Sequence, residues 1–288
     1  MLAIYKREFK SYFYSMTGSI FIAFLTFMTG IYFMAYNLHS GYPYFSYSLE
    51  GVMFVFLVAI PVLTMRSFSE ERRSRTDQLL LTSPVSVGKM VIGKYLAMVS
   101  VFLIPCMLFC AYPLIISTQG KAYFKADYAS ILVFFLLGCV YIAIGSFISA
   151  MTESQIIAAI GTFGVLMVVY LWDGLLGFLP SCAFGGMAGI WMILTLCVLF
   201  IYNMTKNGVL AGGLELIGTI ILVVLYFVKS SLYEGLLSTI FGKFALVSTF
   251  TSAAENSLLD IGGIVMYLTL IGVFLFLTVQ SIQKRRFS

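Results

Sequence analysis

Few residues in this chain are placed to do chemistry on their own. His39 is the sole histidine, and no cysteine or carboxylate cluster stands beside it, so it reads as an interfacial polar anchor rather than a metal ligand or general base. The five cysteines, Cys106, Cys110, Cys139, Cys182 and Cys197, form no C-x-x-C pair and read as buried small hydrophobes. No G-x-x-x-x-G-K-[ST] phosphate loop, H-E-x-x-H or G-x-S-x-G occurs. The glycine-rich run Gly185-Gly186-Met187-Ala188-Gly189 has no lysine and reads as a loop or helix start. The chain is therefore expected not to be an enzyme and to hold no metal or cofactor of its own.

Two features stand out from that background. Glu215 lies inside an apolar run, roughly 10 Å from its nearer end at 1.5 Å per residue. A carboxylate at that depth must face the protein interior or water. It reads as a structural group bonded across helices or, in the sharper reading, as an intramembrane contact for a proton or substrate. The other feature is Arg66–Lys94, with six basic and three acidic residues. Within it Thr76-Asp77-Gln78-Leu79-Leu80-Leu81 is a short helix former with an apolar ridge, closed by Thr82-Ser83-Pro84. Three leucines on a charged turn need a cover, either a protein partner or the lipid interface.

The elements that must carry these residues follow from composition. Of 288 residues, 61% are hydrophobic and 10% charged, against about 25% charged in soluble domains. Uncharged windows run from Ser11 to Leu49, Tyr95 to Gly120, Tyr128 to Thr152, Gly174 to Thr205 and Ile261 to Gln283. Such runs exceed the about 20 residues a spanning helix needs, and only closed backbone hydrogen bonding survives in hydrocarbon. The expected fold is an all-α polytopic bundle of about eight spans, near 18–37, 47–65, 90–117, 129–151, 155–178, 184–203, 208–228 and 261–281. Pro61, Pro105 and Pro113 are expected inside spans as bends.

An even number of spans puts both termini on one side. With the termini cytoplasmic, Lys121, Lys125, Lys229 and Lys243 lie outside and the other thirteen of the 17 Lys and Arg lie inside, as the positive-inside bias requires. Basic residues thus flank the membrane, and the net charge of +5 does not point to nucleic acid. Glu50 and Asp173 fall at outer boundaries. Residues 1–17 place Leu2, Tyr5, Phe9, Tyr12, Phe13 and Met16 at helical spacing opposite Lys6, Arg7 and Lys10, an interfacial helix on lipid headgroups. In residues 230–260, Leu232, Leu236, Ile240 and Phe244 form an i, i+4 stripe for an outer-face amphipathic or re-entrant helix.

The stretch Phe68-Ser69-Glu70-Glu71-Arg72-Arg73-Ser74-Arg75-Thr76-Asp77-Gln78-Leu79-Leu80-Leu81-Thr82-Ser83-Pro84-Val85-Ser86, followed by Gly93-Lys94-Tyr95, resembles ABC-transporter permeases of the type-2 export class. The likeness is closest to the gliding-motility-associated branch. Ser149–Gln155 and the tail Phe274–Arg286 are similar too, while Gln78 departs from the glutamate usual there. The resemblance implies a single permease domain over residues 1–288: a six-span core, an elbow helix over 1–17, a cytoplasmic coupling segment over 66–89 and an added helical pair over 184–229. It implies a separate ATPase subunit that binds ATP and Mg and grips the coupling segment. Leu79, Leu80 and Leu81 would be the buried ridge, with Glu70, Glu71, Arg72, Arg73, Arg75, Thr76, Asp77 and Gln78 around it. Glu153 and Gln155 would form a second contact. Further implied partners are a second permease copy, identical or paralogous, membrane lipids and an accessory extracytoplasmic subunit; the implied location is the bacterial cytoplasmic membrane. The rival expectation is a secondary transporter driven by an ion gradient, which would need coupling-ion ligands near the midplane.

Overall fold

The computed structural model describes residues 1–76, 86–206, 208–230, 233–256 and 260–286, and every regular element among them is helical. They fall into two compact units, residues 1–170 with 246–288, and residues 171–245.

The first unit begins with α1 (Leu2–Tyr14), which runs to α2 (Thr17–Phe33) through Met16 in the left-handed conformation (φ 57°). The helix predicted over 1–17 thus ends at Tyr14. α2 continues into a π-helical stretch, Met34–His39, where Asn37 turns inward. The Asn37 amide donates to the carbonyls of Tyr42 (2.8 Å) and Tyr44 (2.9 Å) and accepts from the Ser48 hydroxyl (2.6 Å). The wide turn therefore anchors the following loop.

α3 (Ser46–Thr64) leads to the short α4 (Ser69–Arg73), then α5 (Val87–Phe109), α6 (Tyr112–Gln119), α7 (Phe124–Met151), α8 (Gln155–Tyr170), α13 (Leu246–Asn256) and α14 (Ile261–Arg286). Pro61 and Pro105 lie inside α3 and α5 as expected, whereas Pro113 lies within the apolar segment Val87–Thr118 but not in a helix interior. It occupies the first turn of α6, where the missing N–H would have had no partner in the helix.

α7 is the central post, packed by α3, α5, α8, α13 and α14. Around it stand the buried rings of Phe56, Phe102, Phe109, Phe134 and Phe250, with Phe56 and Phe134 centroids 4.4 Å apart and Phe56 and Phe102 5.5 Å apart. Small residues on α7 bring its neighbours close, as helix packing in lipid favours. A Cβ on Gly138 would strike the Phe102 ring, and one on Gly145 the Thr64 side chain.

At the end away from α4, the wholly buried Asp127 of α7 accepts the Phe45 N–H at the start of α3 (2.8 Å). This puts a carboxylate on the positive end of a helix dipole. Its second oxygen has no hydrogen-bond partner among the described residues. Asp127→Ala strands a buried N–H and is expected to cost about 1–3 kcal/mol. Asp127→Asn keeps the acceptor and removes a buried charge, so thermal unfolding in detergent should place it close to the parent and well above the alanine variant.

The second unit contains α9 (Trp172–Leu176), α10 (Ala183–Thr205), α11 (Gly208–Val228) and α12 (Leu236–Gly242). α10 and α11 pack as a pair, and the Trp172 indole donates to the Phe241 carbonyl (2.9 Å). Within 230–260 the apolar side chains divide between the interior of the unit and its surface. Tyr233 and Leu237 are buried, Ile240 and Phe244 are 47% and 62% exposed, and Leu232 lies outside the described residues. Gly235 in the left-handed conformation (φ 65°) starts α12, which holds Leu236 and Ile240 at i, i+4 and ends before Phe244.

Among the described residues six helical segments are long and apolar enough to cross a membrane: Thr17–His39, Ser46–Arg73, Val87–Thr118, Phe124–Met151, Ala183–Asn203 and Ile261–Lys284. Gln155–Tyr170 and Gly212–Val228 are apolar but shorter.

Candidate functional site

The polar residues singled out in the sequence meet where α3 ends. The turn out of α3 leaves backbone groups unpaired, and a residue from another helix satisfies them. The Ser149 hydroxyl of α7 accepts the N–H groups of Phe68 (3.2 Å) and Ser69 (3.3 Å) and lies 3.2 Å from the Met65 carbonyl as its donor. The Ser69 hydroxyl also donates to Met65. α4 then presents Glu70 and Glu71 in its first turn and Arg72 and Arg73 in its last, the order a helix dipole favours.

Each of the first three charges has a fixed partner. Arg66 grips Glu70 with two hydrogen bonds of 2.8 Å, the bidentate geometry suited to guanidinium and carboxylate. Arg72 reaches the Ala150 carbonyl (3.1 Å) and Glu153 (2.9 Å). Glu71 pairs with Lys94 of α5 (2.9 Å) and Arg7 of α1 (3.1 Å).

Lys94 is the centre of this cluster. Only 2% of its side chain is exposed. Its ammonium donates to the Ser67 carbonyl (2.7 Å), lies 2.9 Å from Glu71 and 3.5 Å from Glu8, and stands 5.2 Å from the centre of the Phe68 ring. A buried cation persists only when paired in this way. Arg7 binds Glu8 at 2.6 Å, and that hydrogen bond holds its guanidinium above the usual pKa. Two cations and two carboxylates thus balance. Close by, the Tyr12 hydroxyl donates to the Leu63 carbonyl (3.3 Å), and burial raises the phenol pKa.

Glu70, Glu71, Arg72 and Glu153 are therefore brought together, with Arg72 joining the two stretches that the sequence marked separately. Arg73, Arg75 and Thr76 are exposed beyond them, and Gln155 opens α8 half-buried. Asp77, Gln78, Leu79, Leu80 and Leu81 lie outside the described residues. Sequence reading did not assign Glu8, Lys94 or Ser149 to the site. A signal existed for two of them: Lys94 is a charge flanked by apolar positions, and Glu8 is the only acidic residue before Glu50.

Glu215 sits in the second unit. Thr195 of α10 donates to its Oε1 (2.9 Å), and Oε2 is buried without a hydrogen-bond partner among the described residues. Thr219 donates to the Glu215 carbonyl (2.7 Å) and receives the Trp191 indole N–H (3.2 Å). Glu215→Gln keeps the acceptor facing Thr195 and removes the charge, so the folded α10–α11 pair should survive. Transport measured against pH tests the sharper reading: a pH dependence lost in the variant supports it, and equal profiles end it. Of the cysteines, Cys106 and Cys139 are buried but Cys182 and Cys197 are exposed, contrary to expectation. The second unit offers them no enclosing core.

The model of the ABC-2 family transporter proteins matches residues 2–190. That covers α1 through the first turns of α10, and with it every pair of the cluster around Lys94. The chain belongs to the ABC-2 transporter family. It is a multi-pass transmembrane permease of the ABC transporter class, and the family implies an ATP-binding partner subunit. No curated protein and no solved structure matches it.

Proposed function

We propose that this chain is the membrane-spanning subunit of an ATP-driven exporter, working as a pair and gripped by separate ATPase subunits that bind ATP and Mg. In this reading it has eight spans, counting the two shorter apolar helices, with both termini in the cytoplasm of a bacterium. Within the family it resembles the gliding-motility-associated permeases. Glu70–Ser83 receives the push of ATP-driven closure, and Glu153–Gln155 forms the second contact. The chain transmits force and does not itself hydrolyse nucleotide.

The observation that supports this most is the build of the 66–76 segment. Its Glu71 and Arg72 reach α1, α5 and α7, and Arg66 holds Glu70 within the segment, while Arg73, Arg75 and Thr76 stay exposed. Such a segment is rigidly rooted on one side and open on the other, as a surface pushed by a partner must be. The test is to produce the chain with the phosphate-loop ATPase encoded beside it. Co-purification and ATP-dependent transport in vesicles are expected. Transport that continues with no nucleotide hydrolysed would transfer the chain to the gradient-driven class.

A further inference from the structure

The triplet Gly93-Lys94-Tyr95 sits near the start of α5, and its three positions address three different parts of the first unit. At Gly93 a Cβ would lie 3.3 Å from Cγ2 of Ile4, so the missing side chain lets α1 rest against α5. Tyr95 donates its hydroxyl to the Cys139 carbonyl of α7 (3.1 Å). Between them, Lys94 holds α1 through Glu8, and the segment after α3 through Glu71, the Ser67 carbonyl and the Phe68 ring.

Stability does not explain that lysine. An apolar side chain of the same length would fill the space without the penalty of taking a cation out of water, and buried ion pairs often stabilise less than such replacements. What an ion cluster provides instead is a unique register between elements, since sliding any one of them strands a charge. The second link from the segment, Arg72 to Glu153, is of another kind. Glu153 is 75% exposed and that pair is open to screening by salt. The buried link is the stiff one.

We propose that Lys94 is a positioning residue for energy coupling: it clamps α1 and the 66–76 segment to α5, so that a push on the segment moves all three as one body. This rests on the reading that an ATPase grips the segment. The test is hydrogen exchange on the permease–ATPase complex in lipid nanodiscs, without nucleotide and after trapping with ATP and vanadate. In the parent, exchange should change in residues 66–76 and in Leu2–Tyr14 together. In Lys94→Met the change in 66–76 should remain and that in Leu2–Tyr14 should be lost, while the complex still assembles and hydrolyses ATP.

Glu8→Gln, which weakens the same clamp from the α1 side, should give the same loss, and the double variant should be no worse than either. It also carries the test should Lys94→Met fail to fold. A purely structural role would instead raise exchange throughout the nucleotide-free variant and lower its thermal transition. An α1 response retained in the variants, or absent in the parent, overturns the proposal. A parent that assembles with no ATPase overturns the functional reading itself, and that result appears before any variant is made.

Discussion

Replacing Leu79 and Leu80 together by aspartate is expected to abolish co-purification with the ATPase subunit while the permease itself stays folded. Burying one leucine side chain contributes about 1.5–3 kcal/mol, and every 1.4 kcal/mol is about a tenfold change in affinity. Losing two such anchors alone weakens the contact by about a hundredfold or more. The introduced carboxylates add a desolvation penalty in an apolar groove. The rooted part of the segment ends before these positions: Arg66–Glu70, Glu71–Lys94 and Arg72–Glu153 all lie upstream. An unchanged thermal transition of the isolated permease should accompany the loss. A Leu79→Met, Leu80→Met pair, which keeps volume and apolarity, should assemble normally. Co-purification of the aspartate variant at parental yield would remove the leucine ridge from the account.

The second large effect belongs to the central post. Gly145→Leu should destabilise the purified protein by about 3 kcal/mol or prevent its accumulation. The new Cβ would fall on the side chain of Thr64, which is fully buried and bonded back to the Ile60 carbonyl (3.0 Å). Neither partner can retreat, because Ser149, one turn further along α7, holds the start of α4. Gly164 provides the contrast, since nothing lies within 4 Å of a Cβ there and it sits inside α8. Gly164→Ala is expected to be neutral or to stabilise by about 0.5–1 kcal/mol, through helix propensity alone. Melting curves of the two variants side by side decide the matter, and equal behaviour would mean that α3 and α7 do not touch at Gly145.

The spans were legible in the sequence because long uncharged runs leave the backbone no alternative in hydrocarbon. Their ends were less so. Pro113 falls within an apolar run and so reads as a bend inside a helix, yet a proline in a first turn and one in a helix interior look the same until the residues before it are placed. In the stripe through Leu236, Ile240 and Phe244, the first two share one short helix, but that helix ends at Gly242 and Phe244 lies beyond it. For the site, residue types gave the charged segment and its apolar ridge. Partners were not legible, since nothing local tells Lys94 that Glu8 and Glu71 will arrive from two other elements. A lone charge among apolar neighbours announces only that some partner must exist.

The π-helical stretch Met34–His39 makes the chain length at this corner critical. A wide turn of this kind amounts to one extra residue in an α-helix. Deleting one residue between Met34 and Asn37 would restore ordinary winding and rotate the asparagine by about 100°. The amide would then leave the Tyr42 and Tyr44 carbonyls that it now holds. Losing a single residue here, more than exchanging one, is the lesion that would undo this corner.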